Sequence, residues 1–207
     1  MFSFFKSKKN KTPKKGGSFY HRESLIQTIE ELNIILNQSN SADITKTESN
    51  IHFQGFELDS IIKKNLENDF GEESFLLEAD SGIENHEVYF YRIVSDYLRF
   101  LIQIHFVNDK FFFAATKIYS ESLLSEKDKK KVIKQIASKY QPTASDETIN
   151  FNIKDTVGNM LFTHDDVYYH IKYIPNNQVN KDLKKQYGGF KKSDPGKEIK
   201  ETLDRLI

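Results

Sequence analysis

Histidine and arginine side chains stand among aromatic residues along a predicted run of strands between residues 86 and 119. When these strands are paired through two-residue turns, Arg92 lies opposite Arg99 and His86 lies opposite His105. Two arginines directly opposite each other destabilise a sheet unless an anion or an acidic partner lies nearby. This sheet face is therefore the first predicted binding surface, and a ligand with a carboxylate or phosphate group suits its charge. Its members are His86, Arg92, Arg99, His105 and Phe112.

The same pattern also has a purely structural interpretation. The stems of Arg92 and Arg99 can cover apolar surface while their guanidinium groups reach water and nearby glutamates neutralise them. Apolar residues between them, such as Leu101, can lie under an N-terminal helix. Both interpretations depend on the turn positions, because a one-residue shift changes every cross-strand neighbour.

Sequence motifs for catalysis are absent. The chain has no G-x-S-x-G nucleophile elbow, no phosphate-binding P-loop and no glycine-rich dinucleotide motif. None of the six histidines has a metal-ligand spacing on one helix, and His164-Asp165-Asp166 is typical of a polar turn, with His170 on the next strand. We therefore predict no cofactor and no metal. An enzyme would need a site dispersed around His86, His105 and the arginines, which stays open as an alternative.

The start of the chain combines phenylalanines with lysines. Its first fifteen residues carry six lysines and no acid. Aromatic side chains that enter a membrane interface beside lysines give weak, reversible contact with anionic lipid. The predicted contact residues are Phe2, Phe4, Phe5, Lys6, Lys8 and Lys9. The alternative is a solvated, disordered start that contacts nothing.

The zero net charge of the 207 residues conceals an uneven distribution. Residues 1–15 carry +6 and residues 176–207 carry +3, whereas residues 16–175 carry −9, from 16 basic and 25 acidic side chains. An acidic body repels phosphate, so nucleic acid is not an expected partner. The absence of cysteine excludes disulfides and thiolate sites. Since no apolar run of about 18 residues and no secretory signal is present, we expect the protein in the cytoplasm.

The strands are predicted from period-two alternation. Large apolar residues occupy every even position of 98–106, which is typical of a strand with one buried face. Turns at Ser95-Asp96 and Asn108-Asp109 connect this strand to its neighbours in an antiparallel meander. The predicted strands of this unit run over 74–79, 86–94, 97–107 and 110–119.

Helices flank the meander. Apolar residues at helical spacing predict helices over about 22–37 and 57–70, and a third helix begins near Ser125. Three further strands are predicted over 149–154, 159–163 and 167–174. The chain is therefore expected to be an α+β protein, an antiparallel meander with helices packed on one face, in two successive units of a helix plus three or four strands.

We divide the chain into four parts. They are a disordered basic leader over 1–18, an amphipathic helix and polar linker over 19–50, an α+β domain over 51–175, and a polar tail with a short C-terminal helix over 176–207. Asp194-Pro195 is the predicted start of that last helix. Whether the helix over 22–37 packs on the domain is left open.

The leading functional hypothesis is a non-catalytic protein-binding module, such as a chaperone, immunity or adaptor protein. It would present an aromatic sheet face or its acidic surface to another protein. The order of helix and meander is similar to that of small acidic secretion chaperones and of helix-plus-sheet inhibitor proteins, which is a likeness of architecture alone. The alternatives are a peripheral membrane protein tethered by the leader and the enzyme with a dispersed site. The oligomeric state stays open.

Overall fold

The computed structural model describes residues 14–15, 19–38, 43–121, 123–141 and 148–189. These ranges contain eleven strands and five α-helices. The strands are β1 (Lys14–Lys15), β2 (Thr45–Lys46), β3 (His52–Phe53), β4 (Phe56–Glu57), β5 (Phe75–Glu78), β6 (His86–Ser95), β7 (Leu98–Val107), β8 (Lys110–Tyr119), β9 (Asn152–Lys154), β10 (Met160–Asp165) and β11 (Tyr169–Ile174). The helices are α1 (Phe19–Glu23), α2 (Ile29–Asn37), α3 (Leu66–Phe70), α4 (Glu126–Tyr140) and α5 (Gln178–Tyr187).

Nine of the strands form one sheet in the order β1-β5-β6-β7-β8-β11-β10-β9-β2. Its centre is the long meander of β6, β7 and β8, in which each strand pairs antiparallel with the next. The two-residue strands β1 and β2 add in parallel at the two edges. β3 and β4 form a separate small hairpin. The predicted α+β class with an antiparallel meander is confirmed.

The meander turns form where residues tolerate a positive φ. Asn108 and Asp109 have φ values of 49° and 62°, which is the type I′ pattern of a two-residue hairpin. In the first turn Asp96 alone has a positive φ, of 57°. The loop there is Asp96-Tyr97 rather than the predicted Ser95-Asp96, because Ser95 still pairs with Leu98.

The second group of predicted strands joins the same sheet. β11 pairs antiparallel with β8, and β9 and β10 extend the sheet beyond it. The connecting helix α4 begins as predicted, with the backbone N–H of Asp128 donating to Ser125 Oγ. The single helix predicted over 57–70 is replaced by two 3-10 turns, Leu58–Ser60 and Lys63–Asn65, which precede the short α3.

Helices cover both faces of this sheet, whereas the sequence predicted a helical layer on one. α3 and α4 pack on the face that carries Ile102, Ile104 and Phe106. α2 and α5 pack on the opposite face, around Phe113. Beside them α1 places Tyr20 against the rings of the same face, stacked on Phe75 at 4.5 Å between centroids. Both surfaces of the central strands are therefore core.

The segments predicted as linker and tail contribute to that core. The helix predicted over 22–37 is divided into α1 and α2, and α2 begins at a capping box of Thr28 and Glu31. Its buried residues pack against the sheet, so this helix belongs to the domain. α5 lies within the predicted polar tail and buries Leu183 and Tyr187. The helix predicted from Asp194 lies outside the described residues.

Candidate functional site

Three of the five residues predicted to form a binding surface are core residues. His86, His105 and Phe112 are 1%, 0% and 1% exposed. They lie on the sheet face that α2 and α5 cover, so solvent does not reach them. The prediction of an accessible His86/His105/Phe112 face is corrected on this point. Sequence alternation located these side chains on a common face but could not show the second helical layer above it.

The two histidines belong to a buried histidine network formed by Ser81, His86, His105 and Gln103. Ser81 Oγ lies 2.7 Å from His86 Nδ1, and His86 Nε2 lies 3.0 Å from His105 Nδ1. His105 Nε2 in turn lies 3.2 Å from Gln103 Oε1. All four side chains are at most 3% exposed. The network is therefore sealed from solvent.

Backbone partners fix the direction of every hydrogen bond in this network. The backbone N–H of Leu25 donates to Gln103 Oε1, and Gln103 Nε2 donates to the carbonyl of Glu23. Because Gln103 Oε1 is an acceptor, His105 Nε2 must carry a proton and His105 Nδ1 must accept from His86 Nε2. The hydroxyl of Ser81 then donates to His86 Nδ1. One tautomer of each uncharged imidazole satisfies the whole network.

Burial keeps both imidazoles uncharged. It lowers the pKa of His86 to about 4. Burial, together with the neighbouring His86, also lowers the pKa of His105 well below its ordinary value of 6.5. Although Ser81 and His86 have the spacing of a nucleophile and its base, a buried hydroxyl cannot meet a substrate. The network is structural, and the geometry gives no support to an enzyme centred on these histidines.

The two arginines do not face each other. Arg92 pairs with Leu101, and Arg99 pairs with Val94, because the turn lies one residue later than predicted. Arg92 lies against Phe19 and Tyr20 of α1, with its guanidinium carbon 4.8 and 4.9 Å from the ring centroids. The like-charge opposition that motivated the predicted surface is therefore absent from this hairpin.

Arg99 has an acidic partner, and the second hairpin keeps only part of the predicted register. Arg99 forms an ion pair with Glu121. The predicted pair of Phe106 and Phe111 is present, but a bulge after His105 moves the remaining pairs by one residue. A binding role for Arg92 and Arg99 stays a prediction.

Exposed apolar residues gather at one end of the sheet. Of ten large hydrophobic residues that are exposed in the described chain, seven lie at the end formed by the β6–β7 turn, the β8–α4 connection and the β10–β11 turn. We call them the apolar end: Phe19, Ile93, Val94, Tyr97, Leu123, Ile149 and Val167. They extend along six neighbouring strands, a rim about 25 Å wide at the usual strand spacing.

The backbone of β6 is open at the apolar end. β5 pairs with β6 only as far as Phe90, and Ser74 adds hydrogen bonds to the Phe90 carbonyl and the Arg92 N–H. Since alternate residues of a strand bond to opposite neighbours, the peptide groups of Val94 point away from β7. No strand in the described part of the chain pairs with Val94 on that side. Its side chain is 62% exposed.

An ion-pair cluster anchors Tyr97 at the apolar end. The hydroxyl of Tyr97 donates to the carboxylate of Asp128 at the start of α4. The same carboxylate binds Ser125 Oγ and Lys131 Nζ, and these bonds, Ser125 first, hold the pKa of Asp128 near 2. The bond to Asp128 raises the pKa of Tyr97. The turn between β6 and β7 is thereby attached to α4.

The remaining predicted residues flank the β10–β11 turn or fall outside the described chain. His164 Nε2 lies 3.6 Å from an Asp166 oxygen, and His170 stands opposite His164 on β11. Within the ranges that the structure describes, no group of three or more His, Cys, Asp or Glu could hold a metal ion. The predicted membrane residues Phe2, Phe4, Phe5, Lys6, Lys8 and Lys9 fall outside the described residues.

One feature of the sequence indicates an exposed apolar residue at this end, although the alternation pattern did not include it. Ile93 and Val94 are consecutive apolar residues beside a turn, so one of them must face away from the core whichever face is buried. Leu123, Ile149 and Val167 are isolated in connections and gave no pattern. Their proximity to the hairpin is set by the β8–β11–β10 pairing, which is long-range in the sequence.

Comparison of the chain with protein-family models, curated proteins and solved structures finds no match in any of the three. No helix among the described residues is long and apolar enough to cross a membrane. Arguments about function therefore rest on the geometry of this chain alone.

Proposed function

We propose that this protein is a non-catalytic binding module that contacts another protein through the apolar end. The observation that carries the proposal is the gathering of seven of the ten exposed large hydrophobic residues at one end of the sheet. Exposed apolar residues scattered singly are normal, whereas a concentration of them is typical of a contact surface. Because helices cover both sheet faces, this end replaces the aromatic face as the contact surface.

The open edge of β6 supports a protein as the partner. Unpaired peptide groups beside Val94 can accept an extended segment, which would continue the sheet by backbone hydrogen bonds. Ile93 and Val94, which are consecutive and therefore face opposite sides of the sheet, would supply side-chain contacts on the two sides of that segment. The acidic central part of the chain disfavours nucleic acid as the alternative partner. The cysteine-free composition is compatible with a cytoplasmic partner.

Photo-cross-linking in the native host tests this proposal. Benzoylphenylalanine replaces Leu123, which is 70% exposed at the apolar end, and in a matched control it replaces Val157, which is 56% exposed at the opposite end. We expect a defined protein adduct from position 123 and none from position 157. Adding Val94→Lys to the Leu123 variant should reduce the adduct at least tenfold, about 1.4 kcal/mol of binding, because it places a charge in the contact.

Two results would contradict the proposal. One is the same set of adducts from both positions, which would indicate random collisions. The other is an adduct from position 123 that Val94→Lys leaves unchanged, which would separate the contact from the open edge of β6. An adduct between two copies of the chain would identify the partner as a second copy.

A second candidate is membrane contact by the basic leader, and one observation favours it. β1 runs parallel to β5. Phe75 is the first residue of β5 and the residue of that strand that lies nearest to the apolar end. The N-terminal end of β1 therefore points towards the apolar end. Co-sedimentation with vesicles of phosphatidylcholine and phosphatidylserine decides between the candidates. Equal sedimentation of the full chain and of a chain lacking residues 1–15 would exclude the tether.

A further inference from the structure

A cleft opens between the end of α2 and the strands β9, β10 and β11, on the opposite side of the molecule's sheet from α4. Its volume is about 380 Å³. Amide, imidazole and ammonium groups line it, together with one aromatic ring. The lining includes Gln38, Asn150, Asn152, Phe162, His164 and Lys172. None of these residues is a carboxylate, so the cleft presents positive charge and hydrogen-bond donors.

Lys172 lacks the ion pair that two other partly buried lysines form. Lys117 Nζ lies 2.6 Å from a Glu23 oxygen, and Lys129 Nζ lies 2.9 Å from an Asp165 oxygen. Lys172 is also partly buried, in the row between Ala115 and Phe162, but no carboxylate within the described ranges pairs with it. Burial lowers its pKa, and the carboxylate of Asp166, which forms no ion pair with it, opposes that shift. An ammonium group in this position is stabilised by any anion that enters the cleft.

Hydrogen-bond donors accompany this ammonium group. The side-chain oxygen of Asn150 accepts the backbone N–H of Asp165, so its amino group can donate to a ligand in the cleft that Asn150 lines. Asn152 and Lys172 stand on either side of Phe162, on the two strands that flank β10. Two amides and an ammonium group around one opening form the donor set that phosphate and carboxylate oxygens require.

We propose that this cleft binds a small oxyanion, the phosphate or carboxylate group of a metabolite, with Lys172 as its charge partner and Asn150 and Asn152 as hydrogen-bond donors. The ring of Phe162 forms an apolar wall for the part of the ligand that carries the anionic group. This site is independent of the apolar end, and neither proposal depends on the other.

Calorimetric titration with inorganic phosphate and, separately, with acetate tests the proposal on the full chain. We expect one of the two anions to bind with a millimolar or lower Kd, and the anion that binds identifies the ligand class. Lys172→Gln should weaken that binding at least tenfold. The matched control is Lys154→Gln on β9, a partly buried lysine that does not line the cleft, and it should leave the Kd unchanged. Binding of neither anion, or equal weakening by both variants, would overturn the proposal.

A stability measurement separates a binding lysine from a structural one. If Lys172 serves a ligand, Lys172→Met should unfold at the same or a higher temperature than the natural protein, because it removes an unpaired, partly buried charge. Phosphate or acetate should then no longer raise the unfolding temperature of the variant. A marked loss of stability in Lys172→Met would show that the ammonium group holds the fold, and the binding role would be rejected.

Discussion

Acid should destabilise this protein through the buried histidine network, well above the pH at which carboxylates become protonated. Folded His86 has a pKa of about 4, whereas the ordinary value in an unfolded chain is 6.5. Between these values the unfolded chain binds a proton that the folded chain rejects. The free energy of unfolding therefore falls as the pH is lowered from about 6.5 towards 4.

The magnitude follows from the width of that interval. Going from pH 7.5 to pH 5.0 takes the unfolded imidazole about 1.5 units below its pKa, which at about 1.4 kcal/mol per unit removes roughly 2 kcal/mol. His170, whose pKa burial lowers to about 4, contributes a similar amount. Burial and the neighbouring His86 lower the pKa of His105 well below 6.5, so this group acts in the same direction. A total of about 4 kcal/mol from His86 and His170 is a large fraction of the stability of many domains.

Urea unfolding monitored by circular dichroism at pH 7.5 and 5.0 measures this loss. The variant His86→Gln removes one titrating group, so its loss over the same interval should be about 2 kcal/mol smaller. Comparing each protein with itself at two pH values cancels the effect of the substitution at neutral pH. Val157→Gln, at a position that is 56% exposed and carries no titrating group, is the control, and it should retain the natural pH dependence. Equal losses in the natural protein and His86→Gln would refute the assignment of uncharged, buried imidazoles.

Two further predictions concern single side chains. The buried carboxylate of Asp155 accepts two hydrogen bonds from Asn159 and a third from the backbone N–H of Ile51. Asp155→Ala should therefore lower the free energy of unfolding, measured by urea titration, by about 3 kcal/mol. A loss under about 1 kcal/mol would contradict this prediction. Gly158→Ala should lower the unfolding temperature more than Gly55→Ala does, although both glycines have a φ near +90°. The reason is that the added Cβ would lie 2.7 Å from the Asn176 side chain at position 158 and would meet no atom within 4 Å at position 55. Equal unfolding temperatures would show that the Asn176 side chain moves aside without cost.

Much of the meander could be predicted because its local signals agree. The even-numbered residues Ile102, Ile104 and Phe106 are buried as the alternation indicated, and β8 has the predicted bounds. The alternation predicted the opposite face, which carries His105, as a binding surface. His105 and Gln103 are instead buried there and hydrogen-bond to each other and to the backbone of Leu25, a long-range arrangement that periodicity does not predict.

Helix α5 shows a different limit of sequence patterns. Its many lysines and amides are typical of a solvated tail. It contains few apolar residues, so its mean hydropathy is low. It is held by Asn180, whose amide donates to the carbonyls of Phe112 and Pro175, and by the packing of Leu183 and Tyr187. Likewise, the predicted opposition of Arg92 and Arg99 depended on a turn position, where an error of one residue reassigns every pair. Long-range contacts therefore determine the packing of α5, and the turn type determines the strand register, and neither could be predicted from the local pattern.

The buried histidine network and the apolar end are mechanically connected. The side chain of Gln103 bonds to the backbone of Glu23, the last residue of α1, and of Leu25 just after it. Phe19, the first residue of α1, belongs to the apolar end. An imidazolium has two donors and no acceptor, so protonating His86 removes the acceptor for Ser81, and protonating His105 removes the acceptor for His86. We expect the resulting disturbance to open α1, a five-residue helix, more readily than β7, which is paired with a strand on both sides. Amide hydrogens of α1 should therefore exchange faster at pH 5 than those of β7 once intrinsic rates are removed, and a uniform acceleration would show that the network and α1 open only with the whole fold.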